Sequence, residues 1–227
     1  MNPIFSKHVD DAEGIRTSGR WTAVNAAIER LAANPGADNA WYVQVIGGLC
    51  FKAFSEYWQL KNAYADSRAG DASLLAWRAR NLLELAIWST YCSKSRANAR
   101  ALFEDAGRDV HGLYGAFQKW GNATAQDSDW LKIFTSAKQD LFERAASEGI
   151  ETLEGAYQRV ERAAKDCGME IHFLTVNKML SKFAHPTAMQ ILAPPDDARD
   201  VMQRDCFFGM GCLYFIGAFN VLESQLN

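Results

Sequence analysis

Apolar side chains recur at every third or fourth position along almost the whole of this chain, and no stretch sustains an alternation of apolar and polar residues. Spacing by three or four residues is typical of amphipathic helices. Alternation of apolar and polar residues, which this chain does not show, is typical of half-buried strands. The sequence therefore predicts an all-α protein, a bundle of seven or eight helices. These helices are predicted near residues 20–33, 38–66, 71–95, 97–121, 127–148, 151–167, 171–185 and 197–225.

Glycine, proline and asparagine interrupt the periodicity between the predicted helices, as expected for turns. The breaks fall at Asn34-Pro35-Gly36, Gly70-Asp71, Gly121-Asn122, Gly149, Gly168 and Ala193-Pro194-Pro195. Candidate helix caps are Asp38, Asp71, Asp127 or Ser128, and Asp196. Neither a repeat nor a linker divides the 227 residues. We therefore predict an unpatterned N-terminal lead over residues 1–19 and a single bundle domain over residues 20–227.

The helix predicted near residues 71–95 differs from the others because apolar residues surround almost its whole circumference. They are Leu74, Leu75, Leu82, Leu83, Leu85, Ala86, Ile87, Trp88 and Tyr91. A helix that is apolar all round is normally buried on every side. We therefore expect this helix to be the central one of the bundle.

Composition excludes several classes of protein. With 24 basic and 27 acidic residues the chain has a net charge of −3, so charge does not favour binding to RNA or other nucleic acid. Five cysteines without a C-x-x-C spacing indicate neither a disulfide framework nor a zinc knuckle, and they favour the reducing cytoplasm. Phosphate-loop, dinucleotide-binding and E-x-x-H motifs are missing, so we expect no cofactor and no metal site.

The most apolar stretch lies between Asp205 and Glu223 and contains seventeen uncharged residues, CFFGMGCLYFIGAFNVL. This length is at the lower limit of a membrane span, and a buried core helix explains it equally well. The rest of the chain offers no second span, so we expect a core helix and no membrane association. The N-terminus has acidic residues and no apolar segment of the kind found in signal peptides, which also favours a cytoplasmic protein.

Two charged residues stand where the central helix is otherwise apolar. Arg80 and Glu84 share one helical stripe with Trp77, Ile87 and Tyr91. Removing such charges from water costs several kcal/mol per ion before pairing returns part of it. The pattern has two interpretations: a structural ion pair that fixes the helix, or a binding site with Arg80 and Glu84 at the floor of a polar cavity.

Two histidines have polar neighbours on their helix faces. His185 lies at the end of a predicted helix, and Lys178 and Ser181 precede it on the same polar face. Such a histidine can act as a general acid or base, although a solvated helix face is the alternative. His111 shares a face with Glu104 and Arg108, which marks either a binding residue or a charged outer face. A metal site would require Glu84, His111 and His185 to converge, and no local spacing supports this.

Two segments carry a resemblance to known helical proteins. Arg80-Asn81-Leu82-Leu83-Glu84 and Leu180-Ser181-Lys182-Phe183-Ala184-His185-Pro186-Thr187 resemble an uncharacterised group of bacterial proteins with R-x-x-x-E and S-x-x-x-H-P-[ST] motifs. More distantly, the chain resembles the HEPN superfamily, whose motif is an Arg, four to six residues and a His. Here Lys178 takes the place of that Arg, and Lys lacks the planar fork that clamps phosphate.

The resemblance implies a metal-independent ribonuclease of a toxin or antiphage system. Within it, His185 would be the general acid or base, Ser181 would orient the substrate, and Lys178 or Arg80 would stabilise the phosphate. The competing interpretation is a non-catalytic helical module that binds a ligand or a protein partner, which the many aromatic residues favour. The sequence names no partner, and the apolar C-terminal helix leaves homodimerisation open.

Overall fold

Ten α-helices and no β-strand are formed by the residues that the computed structural model describes, which are 3–34, 36, 39–66, 72–124, 128–155, 157–185, 187–194 and 196–226. The predicted all-α class is therefore confirmed for these residues. The helices are α1 (Pro3–Thr17), α2 (Arg20–Ala33), α3 (Ala40–Ala65), α4 (Ala72–Lys94), α5 (Arg96–Ala123), α6 (Ser128–Ser147), α7 (Val160–Asp166), α8 (Glu170–Ala184), α9 (Ala188–Ile191) and α10 (Asp197–Leu226).

The helix count exceeds the predicted seven or eight because two helices were not predicted. The N-terminal residues, predicted to form an unpatterned lead, instead form α1, which packs against α10. Ala12 and Ile15 of α1 are almost completely buried in the core. The short α9 is the second addition, and it follows the end of α8.

The helix predicted over residues 151–167 is wrong in its first half. Only α7 forms there, and residues 150–155 and 157–159, called here the irregular segment, are not helical, with Leu153 buried. Within the segment, Gly155 has a φ of 136°, which lies in a region that residues with a side chain rarely adopt and that is incompatible with a helix. The end of the irregular segment, Tyr157, Gln158 and Arg159, forms one wall of the candidate site.

The predicted boundaries can be tested at several helix ends. Asp196 caps α10 as predicted, since its Oδ1 accepts the backbone N–H of Arg199 at 3.1 Å. Ser95 caps α5 by accepting the backbone N–H of Asn98 at 3.1 Å. The predicted caps and breaks at Pro35, Asp38, Gly70, Asp71, Asp127, Pro186 and Pro195 lie outside the described residues.

The core is centred on α4 and α10, which lie along one another. Helices α3, α5, α7 and α8 pack on α4, while α1, α2 and α3 pack on α10. The central position predicted for the helix near residues 71–95 is therefore confirmed, with α10 as a second central helix. Aromatic rings fill the contact between α3 and α10: Tyr57 stacks on Phe215 at 4.3 Å, and Tyr64 stacks on Phe208 at 4.0 Å.

In the described part of the chain, α10 is the one helix long and apolar enough to cross a membrane by length and composition. Within its most apolar stretch, 61% is buried against the other helices. The core helix of a globular bundle meets the same two criteria, so one such helix is weak evidence for a span. The packing of α10 on α1, α3 and α4 favours the predicted core helix over the membrane interpretation.

Two glycines of α10 give a matched test of this packing. A Cβ at Gly211 would lie 2.3 Å from Cδ2 of the buried Leu60, whereas nothing lies within 4 Å of a Cβ at Gly217. We expect Gly211→Ala to lower the free energy of unfolding by about 1–3 kcal/mol. Gly217→Ala should raise it by about 0.5–1 kcal/mol through better helix propensity. Urea unfolding followed by circular dichroism measures both, and equal shifts would contradict the close approach of α10 to α3.

Candidate functional site

An open cleft of about 450 Å³ lies between α4, α5, α7, α8 and the end of the irregular segment. We call it the Glu84 cleft. Its lining combines apolar, aromatic, amide and charged side chains: Glu84, Trp88, Leu102, Asp105, Asp109, Tyr157, Gln158, Arg159, Val160, Glu161, Phe173 and Asn177. A concave surface of this mixed character is typical of a small-molecule site.

On the α4 side, Glu84 is held in place by Arg80. One nitrogen, Nη2 of Arg80, lies 3.1 Å from Oε1 of Glu84, and Nε of the same guanidinium donates to Oδ1 of Asn177 at 2.8 Å. Both charged side chains are half-buried, at 28% and 29% exposed. Burial raises the pKa of Glu84, and the neighbouring Arg80 opposes this effect without cancelling it. The pair therefore orients a carboxylate at the cleft wall and also links α4 to α8.

On the α5 side, Asp105 fastens the irregular segment to the bundle. This buried carboxylate accepts a hydrogen bond from Nη1 of Arg108 at 2.7 Å through one oxygen. Its other oxygen accepts the backbone N–H of Gln158 at 2.7 Å. Charge-assisted bonds of this kind are the stronger ones in proteins. Asp105 thus fixes the position of the wall that carries Tyr157, Gln158 and Arg159.

Two polar groups on residues of the cleft lining have no partner among the described residues. Asp109 is an exposed residue of the cleft lining. Partial burial of its carboxylate and the negative charge of the nearby Asp105 both raise its pKa. Asp109 takes part in no ion pair or hydrogen bond there. The side-chain nitrogen of Gln158, Nε2, is completely buried without an acceptor. A buried donor without an acceptor costs about 1–3 kcal/mol, and because this nitrogen has no accessible surface a ligand in the open cleft does not reach it.

Three aromatic rings complete the lining, Trp88 from α4, Tyr157 from the irregular segment and Phe173 from α8. Elsewhere on the surface, rings are covered by the protein's own cations. Arg78 lies 4.4 Å from the ring centre of Trp77, and Arg96 lies 5.2 Å from that of Trp41. Within the described chain, no such cation covers the three rings of the cleft.

Comparison with protein-family models, curated proteins and solved structures found no match. The function of the cleft therefore has to follow from its own side chains.

The structure brings one predicted pair to this cleft. Both interpretations of Arg80 and Glu84 describe part of the observed geometry: they form an ion pair, and Glu84 lines a polar cleft. The helix with the R-x-x-x-E motif also contacts the helix with the S-x-x-x-H motif. One hydrogen bond of this contact runs from Arg80 to Asn177, one turn before Ser181.

The proposed general acid or base lies elsewhere. His185 is the exposed C-cap residue of α8, with extended backbone angles, so the predicted end of that helix is confirmed. Lys178 is exposed and Ser181 half-buried, and none of the three residues lines the Glu84 cleft. Their catalytic roles stay predictions.

The ring of His111, a half-buried residue, packs edge-on against Phe142 of α6, with 5.4 Å between the ring centres. Its Nε2 atom is buried and has no partner among the described residues, and the binding role of His111 stays a prediction. His111 is also not part of the cleft lining. No three His, Cys, Asp or Glu residues of the described chain gather as metal ligands, so Glu84, His111 and His185 do not converge.

The sequence did not single out Trp88, Asp105, Asp109, Gln158 or Asn177 as site residues. A signal exists for part of this set, because Leu102, Asp105 and Asp109 follow i, i+3, i+7 spacing on α5. Gln158 gave no signal, since the surrounding segment was predicted to be helical. Tertiary packing, rather than any local pattern, brings these residues together.

Proposed function

We propose that this protein is a non-catalytic ligand-binding module, formed as a single helical bundle whose binding site is the Glu84 cleft. One observation carries the proposal: a half-buried carboxylate, fixed by Arg80, opens into a cleft whose walls include Trp88 and Phe173. Ligand sites commonly combine apolar walls with a few oriented polar groups in this way.

The arrangement is built before any ligand arrives. Arg80 is bonded to both Glu84 and Asn177, and Asp105 holds the backbone of Gln158. A site fixed by such bonds loses less conformational entropy on binding than a mobile one. This supports a binding role for the cleft.

The metal-independent ribonuclease that the family resemblance implies remains the alternative proposal. It would act at His185, outside the cleft, on a surface where Lys178 is exposed. The cleft itself is unsuited to an RNA backbone, because its lining contains four carboxylates and a single guanidinium. The ligand-binding proposal therefore agrees better with the geometry, and a cytoplasmic location and homodimerisation stay predictions.

The binding proposal is tested by filling the cleft. A fragment library containing cationic, neutral and anionic compounds is screened by saturation-transfer NMR against the wild type, Asn177→Trp and Asn177→Ala. Tryptophan at position 177 would occupy the cleft, whereas alanine removes the same bond to Arg80 without filling it. We expect a set of fragments to bind the wild type and Asn177→Ala, and to lose at least tenfold in affinity with Asn177→Trp.

Circular dichroism melts show whether both variants remain folded. If Asn177→Trp is folded and binds the same fragments as the wild type, the cleft is not the binding site. The proposal also fails if no fragment binds the wild type.

A further inference from the structure

We propose that the Glu84 cleft binds a small organic cation of the alkylammonium class. This inference rests on the proposed ligand-binding function and names the chemistry of the ligand. Two features of the cleft lead to it: the balance of charges and the aromatic rings of the lining.

The charge balance comes first. The lining contains four acidic residues, Glu84, Asp105, Asp109 and Glu161, and one basic residue, Arg159. Arg80 neutralises Glu84 and Arg108 neutralises Asp105, but neither cation is part of the lining. Asp109 and Glu161 have no ion-pair partner in the described part of the chain. Together with Arg159 of the lining, three guanidinium groups face four carboxylates, so the cleft keeps a net charge of −1, which favours a cation over an anion.

The aromatic rings favour the same class. The negative face of an aromatic ring attracts a cation within about 6 Å, and Trp is the strongest of the three aromatic residues in this respect. Trp88 is half-buried and Tyr157 is exposed, and no cation among the described residues covers either ring, whereas Phe173 is only 3% exposed. Aromatic rings are the usual recognition surface for alkylated ammonium groups.

A metal cation does not satisfy these features. Hard divalent cations require several oxygen ligands converging at short distance. No such group of side chains gathers within the described residues, and Asp105 already uses its two oxygens on Arg108 and Gln158. The charge of the ligand is therefore carried by an organic group.

The test compares two probes of the same shape. Choline carries a quaternary ammonium and a hydroxyl, and 3,3-dimethyl-1-butanol replaces the charged nitrogen by carbon. Isothermal titration calorimetry of the full chain should give choline at least tenfold higher affinity than the neutral probe. Asp109→Asn should weaken choline binding about threefold to fivefold, the range expected for one exposed charge. Asp140→Asn, an exposed acid on α6 outside the cleft, is the matched control and should change nothing.

Equal affinity for the two probes, preference for the neutral probe, or equal effects of Asp109→Asn and Asp140→Asn would each overturn the inference. Failure of both probes to bind would do the same. The fragment screen separates these results from the failure of the proposed function. Neutral or anionic fragments that Asn177→Trp displaces would leave the binding site in place while excluding a cationic ligand.

Discussion

Glu56→Ala is expected to lower the free energy of unfolding by about 3–5 kcal/mol, because it leaves a buried cation without its partner. The Glu56 side chain is only 1% exposed. It accepts hydrogen bonds from Nη1 of Arg78 at 2.8 Å and from Nδ2 of Asn81 at 3.3 Å, and Nζ of Lys52 lies 2.8 Å away. Arg78 is itself only 16% exposed.

Lys52→Ala is the matched control for this experiment. Lys52 is 58% exposed, so its removal should cost less than about 1 kcal/mol although it touches the same carboxylate. Urea denaturation followed by circular dichroism measures both variants. A Glu56→Ala variant as stable as Lys52→Ala would mean that Arg78 is not stranded and that α3 and α4 pack differently.

The carboxylate of Glu56 also makes the free energy of unfolding depend on pH. Burial alone would raise the pKa of Glu56, but hydrogen bonds from Lys52, Arg78 and Asn81 outweigh it, so the pKa is lowered. The stabilisation is therefore complete above the unfolded-state pKa of about 4.3, and it is lost as the pH falls through the lower folded-state value. We expect the difference in unfolding free energy between wild type and Glu56→Ala to shrink on acidification in this range.

Phe215→Ala is expected to lower the free energy of unfolding by about 3–5 kcal/mol through the cavity it leaves. Phe215 is completely buried, stacks on Tyr57 at 4.3 Å, and lies 5.9 Å from the ring centre of Phe219. The loss should appear in detergent-free buffer as a lower urea midpoint with an unchanged slope.

Leu213→Ala on the same helix provides the comparison, since Leu213 is 38% exposed. Its replacement should cost less than about 1 kcal/mol, because little apolar contact is lost. Together, Phe215→Ala and Leu213→Ala distinguish a core helix from a membrane span. If the wild type folds only in detergent, or if both variants are equally stable, α10 is not the centre of a bundle core.

The helical class and the central helix were predictable because both depend on the periodicity of apolar residues, which is a local property of the chain. The first half of the predicted 151–167 helix was wrong, and Gly155 within it adopts a non-helical conformation that periodicity does not reveal. Helix α1 was not predicted because its apolar pattern is short, and burial of Ala12 and Ile15 against α10 stabilises it. Tertiary contact decided the outcome in this last case.

The candidate site was predictable only where its residues share a helix. Arg80 and Glu84 stand out because they interrupt an apolar stripe, whereas Asn177, Gln158 and Asp109 come from three other parts of the chain. Glu56 was not identified for a related reason: Lys52 and Glu56 have the i, i+4 spacing of an ordinary surface pair. The burial of Glu56 depends on α4, which the spacing cannot show.

The wall of the Glu84 cleft and the core of the bundle are encoded by different residues. Tyr157 and Arg159 of the wall are exposed, and within the described residues Asp105 is the one side chain of α5 that bonds to the backbone of that wall. Because this bond is made to a backbone N–H, it does not depend on which side chain stands at position 158. The wall can therefore change its residues over evolutionary time, and with them the molecules it selects, while the interior that folds the protein stays intact.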